Sequence, residues 1–505
     1  MNRTITRRQL LRSAGVGALG LGLSGALGEI VSGALTPPNP GPPKMPTWHT
    51  RPDLRIPSLT VTSRQPGASG DPIFIAPYNV PVGQVGAVIV DARGQPIWEN
   101  PLEDKVTANF RVQSYRGAPV LTWWEGAIEY GHGVGEYVIA DSNYRTVRRV
   151  QAARGLHGDL HEFVITPRNT ALLTSYVITA ANLTSVGGPR KGTIQDAIFQ
   201  EIDLASGRVL LEWHSLDRIP LEESYAPVEA ENWDFFHINS VDLDGDGNLL
   251  VSSRSTHTIY KLDRSGTILW RLGGKHSDFE MAPGSNFAWQ HDARRRPDGT
   301  MTIFDNGATP AVEKLSRGLI LDVDEQAMTA TLLRQYTHPK ILTGSQGNMQ
   351  LLDNGNVFIG WGEVPRVSEF ERSGRLVFDA VLGEKYQSYR AFRLPWSALP
   401  AETPAIAVNR DGRGGTTAYA SWNGATGVHT WQLLAGQQAT ALTPVSSTTA
   451  RGFESALHCA STGPLFAVQA LDASGAALDR MERPGWSGCS VRMAGGLRIC
   501  VGCRV

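Results

Sequence analysis

A hairpin pattern that recurs six times between residues 86 and 380 limits most strongly what this chain can fold into. Each copy has an apolar run, an acidic residue, a turn that usually contains glycine, and a second apolar run that often ends in an aromatic residue. The copies are AVIVDARGQPIW, YVIADSNYRTV, FQEIDLASGRVLLEW, IYKLDRSGTILW, LILDVDEQAMTATLL and SEFERSGRLVF. Their acidic positions are Asp91, Asp141, Asp203, Asp263, Asp322 and Glu371, separated by 49 to 62 residues. A period of this length with short strands is typical of a β-propeller, in which each unit forms a four-stranded blade.

A second hairpin precedes most of these copies and supplies the other two strands of each blade. Its examples are LHEFVITPRNTALLTSY, FHINSVDLDGDGNLLVSSR, QHDARRRPDGTMTIFDNG and GNMQLLDNGNVFIGWG. The 54 glycines and 30 prolines of the chain fit a fold that contains many tight turns. We therefore predict an all-β protein with a six-bladed β-propeller over residues 58–400.

The segments outside the repeat differ from it in composition. The sequence TRRQLLR, followed by a short Gly- and Ala-rich apolar run, resembles a twin-arginine export signal. We predict that residues 1–36 are a signal peptide, and that the twin-arginine machinery exports the protein to a periplasmic, extracellular or cell-wall location. Residues 37–57 are predicted to be a Pro-rich linker, extended and exposed over residues 37–47. Residues 402–482 alternate like short strands and predict a small fibronectin-like β-sandwich, which residues 483–505 follow as a tail.

Charge and cysteine content exclude several classes of function. The 47 basic and 48 acidic residues nearly balance, which argues against a nucleic-acid partner or a polybasic membrane surface. All four cysteines, Cys459, Cys489, Cys500 and Cys503, lie in the last 47 residues. Disulfides are permitted there in an exported protein, and Cys500-x-x-Cys503 is too isolated to indicate a zinc site. The main body of the chain therefore offers no thiol nucleophile.

Three histidines occupy the same position in successive copies of the second hairpin: His161, His237 and His291. The first strands of propeller blades line the central channel, so equivalent positions approach one another around the axis. Asn239 shares a strand face with His237, and antiparallel pairing returns Arg254 to the same rim. The sequence thus predicts a functional site of three imidazoles, an amide and a guanidinium.

Three kinds of chemistry fit this constellation. The imidazoles could ligate a transition metal, or they could bind an anion together with Arg254. Alternatively, one neutral imidazole could act as a nucleophile while the other groups stabilise charge. A metal-dependent hydrolase or lyase and a non-catalytic ligand-binding propeller therefore stay open as functions.

Two further features have a structural and a functional interpretation. The sequence VDLDGDGN matches the first half of a calcium loop, but Ser253 stands where a calcium-binding glutamate belongs, so a turn is favoured. Trp123, Trp124, Trp289 and Trp361 could wall a pocket for an aromatic substrate, although packing between blades is the more common role of any single tryptophan.

An ordered series of motifs over residues 48–400 resembles the arylsulfotransferase family of exported bacterial proteins and their fungal relatives. The series is TRPDLRIP, IFIAPY, LTWWEG, LHEF, DFFHINSV, LLVSSR, WRLGGKHSDF, WQHDAR, FDNG, GNMQLLDNGNVFIGWG and YRAFRLPW. The resemblance implies a six-bladed propeller that moves a sulfuryl group from a phenolic sulfate ester to another phenol. It also implies a ping-pong reaction through a sulfated histidine, without a nucleotide sulfate donor.

The resemblance also assigns roles to residues of this chain. The nucleophile falls on His291, and His161, His237, Asn239 and Arg254 match the residues that surround the sulfuryl group. A threonine of the family has no secure counterpart, but Thr343, Ser345 and Asn348 are nearby. Protonated His161 or His237 would donate to the sulfuryl oxygens and to the leaving phenolate. No cofactor or metal is expected, the partners are a small aryl sulfate and a phenol, and the oligomeric state stays open.

Overall fold

The computed structural model describes residues 45, 47–78, 84–410, 415–460, 464–478, 490–494 and 497–501, the last two ranges as backbone alone. The predicted signal peptide lies outside these residues. Within them, helical structure consists of three short 3₁₀ turns, Thr184–Val186, Leu221–Glu223 and Ala439–Ala441. No helix in the described part of the chain has the length and apolar character needed to cross a membrane. The predicted all-β character is confirmed.

Short strands follow one another along the whole described chain. The strands before residue 151 are β1 (Thr60–Arg64), β2 (Ile73–Ile75), β3 (Val85–Val90), β4 (Pro96–Leu102), β5 (Val106–Tyr115), β6 (Ala118–Glu129), β7 (His132–Ala140) and β8 (Thr146–Val150). Residues 151–290 contain β9 (Phe163–Ile165), β10 (Thr170–Ala181), β11 (Gly192–Asp203), β12 (Val209–His214), β13 (Ile238–Leu243), β14 (Leu249–Ser253), β15 (Thr258–Leu262), β16 (Ile268–Gly273) and β17 (Glu280–Met281). Residues 291–400 contain β18 (His291–Arg295), β19 (Met301–Asp305), β20 (Arg317–Asp324), β21 (Thr329–Thr337), β22 (Asn348–Leu351), β23 (Val357–Gly360), β24 (Arg366–Phe370), β25 (Leu376–Val381) and β26 (Phe392–Arg393).

These strands form six sheets, which we number I to VI. Sheet I has the order β26-β2-β3-β4, sheet II β5-β6-β7-β8, sheet III β9-β10-β11-β12 and sheet IV β13-β14-β15-β16. Sheet V is β18-β19-β20-β21 with β17 at its outer edge, and sheet VI is β22-β23-β24-β25 with β1 at its outer edge. Sheet I therefore takes its first strand from the end of the repeat region and its other three from the beginning.

The hydrophobic core is divided among the spaces between neighbouring sheets. Separate clusters of buried apolar side chains lie between sheets I and II, II and III, III and IV, IV and V, V and VI, and VI and I. Because the last cluster joins the final sheet to the first, the sheets follow one another around a ring. This is a propeller-like arrangement, in which strands at the inner edges of the sheets can share one central site.

Acidic side chains fix the turns of the predicted hairpins. In AVIVDARGQPIW, for example, Oδ1 of Asp91 accepts the backbone N–H groups of Arg93 and Gln95, both at 2.8 Å. Such bonds replace backbone pairs that a tight turn leaves unmade. In the fifth copy the prediction chose the wrong residue: Asp324, not Asp322, accepts the backbone N–H groups of the turn. Asp322 is an outward-facing residue of β20, one strand period earlier.

The chain after residue 402 forms two three-stranded sheets with a common core. Its strands are β27 (Ala405–Arg410), β28 (Thr416–Ser421), β29 (Thr430–Gly436), β30 (Thr443–Thr449), β31 (Glu454–Cys459) and β32 (Leu465–Leu471), followed by a two-stranded pair, β33 (Ser490–Ala494) and β34 (Leu497–Val501). The sheets have the orders β27-β28-β31 and β30-β29-β32, and one apolar cluster draws on both. Cys459 has no disulfide partner among the described residues, and the side chains of the other three cysteines lie outside them.

The predicted linker of residues 37–57 is too long at its C-terminal end. Leu54 and Ile56 are fully buried, and both the backbone N–H and the hydroxyl of Thr50 donate to Oε2 of Glu454, at 2.7 and 2.6 Å. Trp48 packs on Phe453 with 4.6 Å between ring centroids. Apolar side chains and a paired carboxylate therefore fasten residues 48–56 to the folded protein.

Candidate active site

The three histidines predicted from the repeat lie at the edges of three successive sheets. His161 precedes β9 by two residues, His237 comes immediately before β13, and His291 is the first residue of β18. The ring centroids of His161 and His237 are 4.7 Å apart, and those of His237 and His291 are 6.3 Å apart. Their equivalent positions in the sequence therefore become one cluster in the fold.

The backbone around this cluster is irregular. His237, Trp289, Asp292 and Gln346 have positive φ angles of 58°, 56°, 54° and 64°. Strand pairing is interrupted between Ile238 and Ser240 and between His291 and Arg294. Left-handed conformations of non-glycine residues cost about 1–3 kcal/mol each and persist only where the surroundings hold them, often at functional sites. The local backbone, and not a regular pleat, thus sets the directions of His237 and His291.

His291 is buried and is held through both ring nitrogens. Its Nδ1 lies 2.7 Å from Oδ1 of Asn306 and 3.2 Å from the carbonyl oxygen of Trp289. The Asn306 amide is oriented by its own Nδ2, which donates to the carbonyl oxygen of Gln346 at 3.0 Å. Both neighbours of Nδ1 are acceptors, so Nδ1 carries the proton. The lone pair is on Nε2, which accepts the backbone N–H of Gln346 at 3.1 Å.

The charge state of His291 follows from its surroundings. Burial, and next the positive charge of Arg254, hold the pKa of His291 well below its ordinary value of 6.5. His291 is therefore a neutral imidazole at neutral pH, and its tautomer leaves the lone pair on Nε2.

Carboxylates hold the other two predicted histidines. Nδ1 of His161 lies 2.7 Å from Oδ2 of Asp159, and Nδ1 of His237 lies 2.5 Å from Oδ2 of Asp234. Burial lowers the pKa of His237 to about 4, because desolvation outweighs the nearby Asp234 charge. This lowered pKa favours an uncharged His237 at neutral pH, so of the two predicted imidazolium donors, His161 and His237, it argues against His237.

A fourth histidine, His132, joins the cluster and was missed by the sequence reasoning. It is the first residue of β7 in sheet II, and its ring centroid lies 5.5 Å from that of His161 and 5.1 Å from that of His237. The ring stacks on Tyr176 at 3.7 Å. Neither of its nitrogens has a hydrogen-bond partner among the described residues. Nε2 does lie 3.2 Å from Oδ2 of Asp234, but this close polar contact lacks hydrogen-bond geometry.

Glycines bring His132 to the cluster. The backbone of β7 packs directly against the ring of Trp124, which belongs to the neighbouring strand β6. A Cβ atom added at Gly133 would stand 2.6 Å from this ring, and one added at Gly135 would stand 2.8 Å from it. The N–H of Gly133 donates to Oδ1 of Asp159, the same carboxylate that holds His161. The sequence GHGVG was the available signal, since glycines on both sides of a histidine indicate close approach of the backbone.

Arg254 lies beside the histidines, as predicted. Its backbone N–H donates to the carbonyl oxygen of His237 at 2.9 Å. Its guanidinium group lies 4.9 Å from the ring centroid of Trp289 and donates to the carbonyl oxygen of Gly344 at 2.9 Å. The Nε of Arg254 is buried without a partner among the described residues. One N–H group of Arg254 is therefore available to an anion.

Asn239 also lies at the cluster, but its amide is partly used. Nδ2 donates to the carbonyl oxygen of Gln290 at 2.6 Å, and Oδ1 has no hydrogen-bond partner within the described chain. As oriented, Asn239 presents the acceptor Oδ1 to its surroundings, whereas a contact with a sulfuryl oxygen would need a donor.

The segment before β22 contributes backbone groups and not the predicted side chains. Thr343 donates to the carbonyl oxygen of Ser345, and Ser345 donates to Glu363. The side chain of Asn348 bridges the N–H and the carbonyl oxygen of Ala391. The groups of this segment that reach the cluster are the carbonyl oxygen of Gly344 and the N–H of Gln346. Backbone contacts of this kind leave no signature in residue type.

Of the four tryptophans proposed for a substrate pocket, Trp289 alone contacts the cluster. Trp123 packs between sheets I and II, and Trp124 between sheets II and III. Trp361 packs between sheets V and VI, and its Nε1 donates to Ser368. The general preference of tryptophan for packing explains these three positions.

A buried ionic network adjoins the histidines. Glu162, next to His161, forms ion pairs with Arg111 at 2.9 Å, with Arg390 at 3.1 Å and with Arg294. Asp292, next to His291, also pairs with Arg294, at 2.8 Å. These pairs tie the starts of β9 and β18 to β5 and to the segment before β26, so the network holds the inner edges of several sheets in place.

The sequence VDLDGDGN forms a turn. The N–H of Gly247 donates to the carbonyl oxygen of Asp244 at 2.9 Å. Nζ of Lys261 lies 2.9 Å from Oδ2 of Asp244, 2.8 Å from Asp246 and 2.8 Å from Glu325. An ammonium group therefore lies between the carboxylates that a calcium ion would need, which favours the turn over the calcium-loop alternative.

Fold and site together define a class of protein: all-β, propeller-like, with four histidines gathered at the inner edges of its sheets. Residues 111–383 match the family described as Arylsulfotransferase (ASST). The match covers more than half of the 505 residues, and the chain belongs to this family.

Comparison with solved structures adds distant likenesses only. A protein from Lactobacillus plantarum is 13% identical over 77% of this chain and 99% of its own, with a TM-score of 0.35. The periplasmic gluconolactonase PpgL of Pseudomonas aeruginosa is 12% identical over the same shares, also with a TM-score of 0.35. A protein of unknown function from Bacteroides caccae is 12% identical over 65% of this chain and 100% of its own, with a TM-score of 0.39. A search of curated proteins finds no significant match.

Proposed function

We propose that this protein moves a sulfuryl group from a phenolic sulfate ester to a phenol through a sulfohistidine at His291, without a nucleotide sulfate donor. Family membership supports aryl sulfotransferase activity in general. The observation that carries the assignment to His291 is its fixed, neutral tautomer, with the proton on Nδ1 directed at Asn306 and the lone pair on Nε2. A neutral imidazole of this kind attacks an electrophile without a separate base.

The first half of the reaction uses the groups around Nε2. Nε2 of His291 forms a bond to sulfur, and the bond between sulfur and the aryl oxygen breaks, so the phenolate leaves with the electron pair. The N–H of Gln346, 3.1 Å from Nε2, transfers its hydrogen bond to a sulfuryl oxygen as the lone pair is used. The unpartnered Nε of Arg254 supplies a second donor. Preorganised donors aimed at developing charge are commonly the largest contribution to catalysis of this type.

The second half needs a base for the acceptor phenol, and His237 has the required arrangement. Asp234 holds Nδ1–H of His237, so the lone pair of Nε2 is free to take the phenol proton. The low pKa of His237 keeps this nitrogen unprotonated at neutral pH. The phenol oxygen then bonds to sulfur, the bond to Nε2 of His291 breaks, and His291 regains its lone pair. A carboxylate behind the imidazole orients the base, as in other histidine-dependent transferases and hydrolases.

The proposal is tested by mass spectrometry after the purified protein is mixed with an activated aryl sulfate in the absence of acceptor. We expect an added mass of about 80 Da on the peptide that contains His291, and its loss when a phenol is added. The His291→Ala variant should show no adduct. The matched control is His214→Ala, because His214 lies in β12 and pairs with Asp196 away from the cluster.

The same experiment discriminates the competing functions. An adduct on another histidine refutes the assignment to His291. Absence of both adduct and released phenol across several donors refutes sulfuryl transfer and favours a ligand-binding propeller without catalysis.

Three structural proposals accompany the reaction. We propose that residues 58–400 are a six-bladed β-propeller, supported by the six sheets and the six apolar clusters between them. Residues 402–482 are proposed to be a β-sandwich, supported by two sheets with one common core. Export through the twin-arginine pathway rests on the sequence of residues 1–36.

A further inference from the structure

A group of histidines within the cluster has the arrangement of a metal site. His132, His161 and His237 each offer a ring nitrogen, and these three atoms lie within 4.8 Å of one another. The residues come from sheets II, III and IV, so the group forms only when three sheets of the ring are assembled. His291 is not a member, because both of its nitrogens are already hydrogen-bonded.

The carboxylates behind two of these histidines leave the correct nitrogens free. Asp159 and Asp234 accept from Nδ1 of His161 and His237, so Nε2 of each ring is the nitrogen that the carboxylates leave for a ligand. Histidines that bind metals almost always donate their other N–H to a carboxylate, a carbonyl or water, which fixes the tautomer and the ring orientation. The hydroxyl of Thr174 and the N–H of Gly133 in turn hold Asp159.

His132 provides an independent observation that points to a ligand. The residue is 4% exposed, yet neither ring nitrogen has a hydrogen-bond partner in the described part of the chain. Leaving a buried polar group unpaired costs about 1–3 kcal/mol. Stacking on Tyr176 nonetheless positions the ring beside two oriented imidazoles, with Oδ2 of Asp234 in polar contact at 3.2 Å from Nε2 but outside hydrogen-bond geometry.

We propose that His132, His161 and His237 together bind one divalent transition-metal ion, of the zinc or copper class. Three imidazole ligands suit zinc, copper or nickel, whereas calcium and magnesium take oxygen ligands. Three protein ligands leave a fourth coordination position open to water or to an oxygen of a bound molecule, as in catalytic zinc sites. Zinc–nitrogen bonds of about 2.0–2.1 Å need the three nitrogens to close by about 1 Å. The nitrogens of His132 make no hydrogen bond within the described chain, so its ring can make that movement by sliding across the ring of Tyr176.

The proposed site does not include the nucleophile His291, so metal binding does not depend on sulfuryl transfer. It does take Nε2 of His237, which the proposed reaction uses as a base, so a bound metal ion and transfer to the acceptor phenol exclude each other. The test uses the purified full chain, stripped with a chelator and dialysed against zinc or copper, with bound metal measured by elemental analysis. Cobalt substitution then reports the coordination through the visible absorption of a four-coordinate ion. We expect one equivalent of metal per chain and a four-coordinate cobalt spectrum.

Variants locate the metal without a measurement of activity. His132→Phe keeps the ring that stacks on Tyr176 and should weaken binding by more than about 100-fold. Asp234→Asn, which removes an outer partner of His237, should weaken it by about 10- to 100-fold. The control His276→Ala alters an exposed histidine outside the cluster and should leave binding unchanged.

Two results would overturn the inference: no stoichiometric metal in the wild-type protein, or metal that His132→Phe retains with unchanged affinity. The His291→Ala variant separates this inference from the proposed reaction. It should keep the metal and lose the sulfuryl adduct, so each hypothesis can fail without the other.

Discussion

Replacing Asn306 with leucine tests how the tautomer of His291 is fixed. Leucine has the same number and branching of side-chain heavy atoms as asparagine but removes two hydrogen bonds, one from Nδ1 of His291 at 2.7 Å and one to the carbonyl oxygen of Gln346 at 3.0 Å. A buried donor left without its acceptor costs about 1–3 kcal/mol. The carbonyl oxygen of Trp289, 3.2 Å from Nδ1, remains as a poorer acceptor and favours the lower part of this range.

If that free energy is lost from the transition state, sulfuryl transfer to His291 should slow by about 5- to 150-fold, since 1.36 kcal/mol corresponds to tenfold in rate. The assay is the single-turnover rate of adduct formation, measured per folded molecule after chemical unfolding has established the stability of each variant. Asn348→Leu is the matched control, because Asn348 is equally buried and bridges the backbone of Ala391 without touching His291. It should lose comparable stability and keep the wild-type rate. The reasoning is refuted if Asn306→Leu transfers at the wild-type rate, or if both variants slow equally.

Three further perturbations follow from the charges of the site and the turns. The pKa of His237 is about 4 in the folded protein and about 6.5 in the unfolded chain, so between these pH values the unfolded chain binds the proton more tightly. The free energy of unfolding should therefore fall by about 3 kcal/mol as the pH drops from about 6.5 to 4. The free energy of unfolding of His237→Gln should lack this part of the pH dependence. The same pH dependence in the wild type and the variant would contradict the assigned role of His237. Lys261→Met leaves Asp246 without its cation, whereas Arg295 still pairs with Asp244 and Glu325, so the change should cost about 1–3 kcal/mol in denaturant unfolding. Calcium should leave the thermal midpoint of the wild type unchanged, and a midpoint raised by calcium would support the calcium-loop interpretation. Zinc bound to Nε2 of His237 should slow the reaction of phenol with the sulfuryl adduct by about tenfold or more, and a chelator should restore the rate. An unchanged rate in zinc-loaded protein would show that His237 is not the base.

The hairpins were predictable because their information is local. An alternating apolar strand, an acid that accepts the N–H groups of the turn and a following glycine are contained within about a dozen residues. The error at Asp322 and Asp324 shows the limit of this information: two acids two residues apart both fit the pattern, and only strand pairing with β21 decides which one reaches the turn. The predicted boundary of the linker was placed too far towards the C-terminus for a related reason. Nothing in the local sequence indicates that Leu54 and Ile56 are buried, because the surfaces that bury them come from other parts of the chain.

The cluster of His161, His237 and His291 was predictable because a repeat converts equal positions in sequence into neighbouring positions in space. His132 has no such position, since it begins the third strand of its sheet, and glycines that allow close contact with Trp124 bring it to the others. The sequence did not separate Trp289, which contacts the cluster, from the three tryptophans that pack between sheets. Residue type alone cannot distinguish a ring at the central channel from a ring between two sheets.

The sequence by itself determined the all-β repeat, the family and the three equivalent histidines, because periodicity and residue type are properties of the chain. Only the tertiary structure decided the chemistry available to each histidine. Protonation and tautomer depend on burial and on acceptors that come from other parts of the chain, such as Asn306 for His291 and Asp234 for His237. The N–H group that meets Nε2 of His291 comes from Gln346, 55 residues away, through a backbone atom that every residue except proline carries.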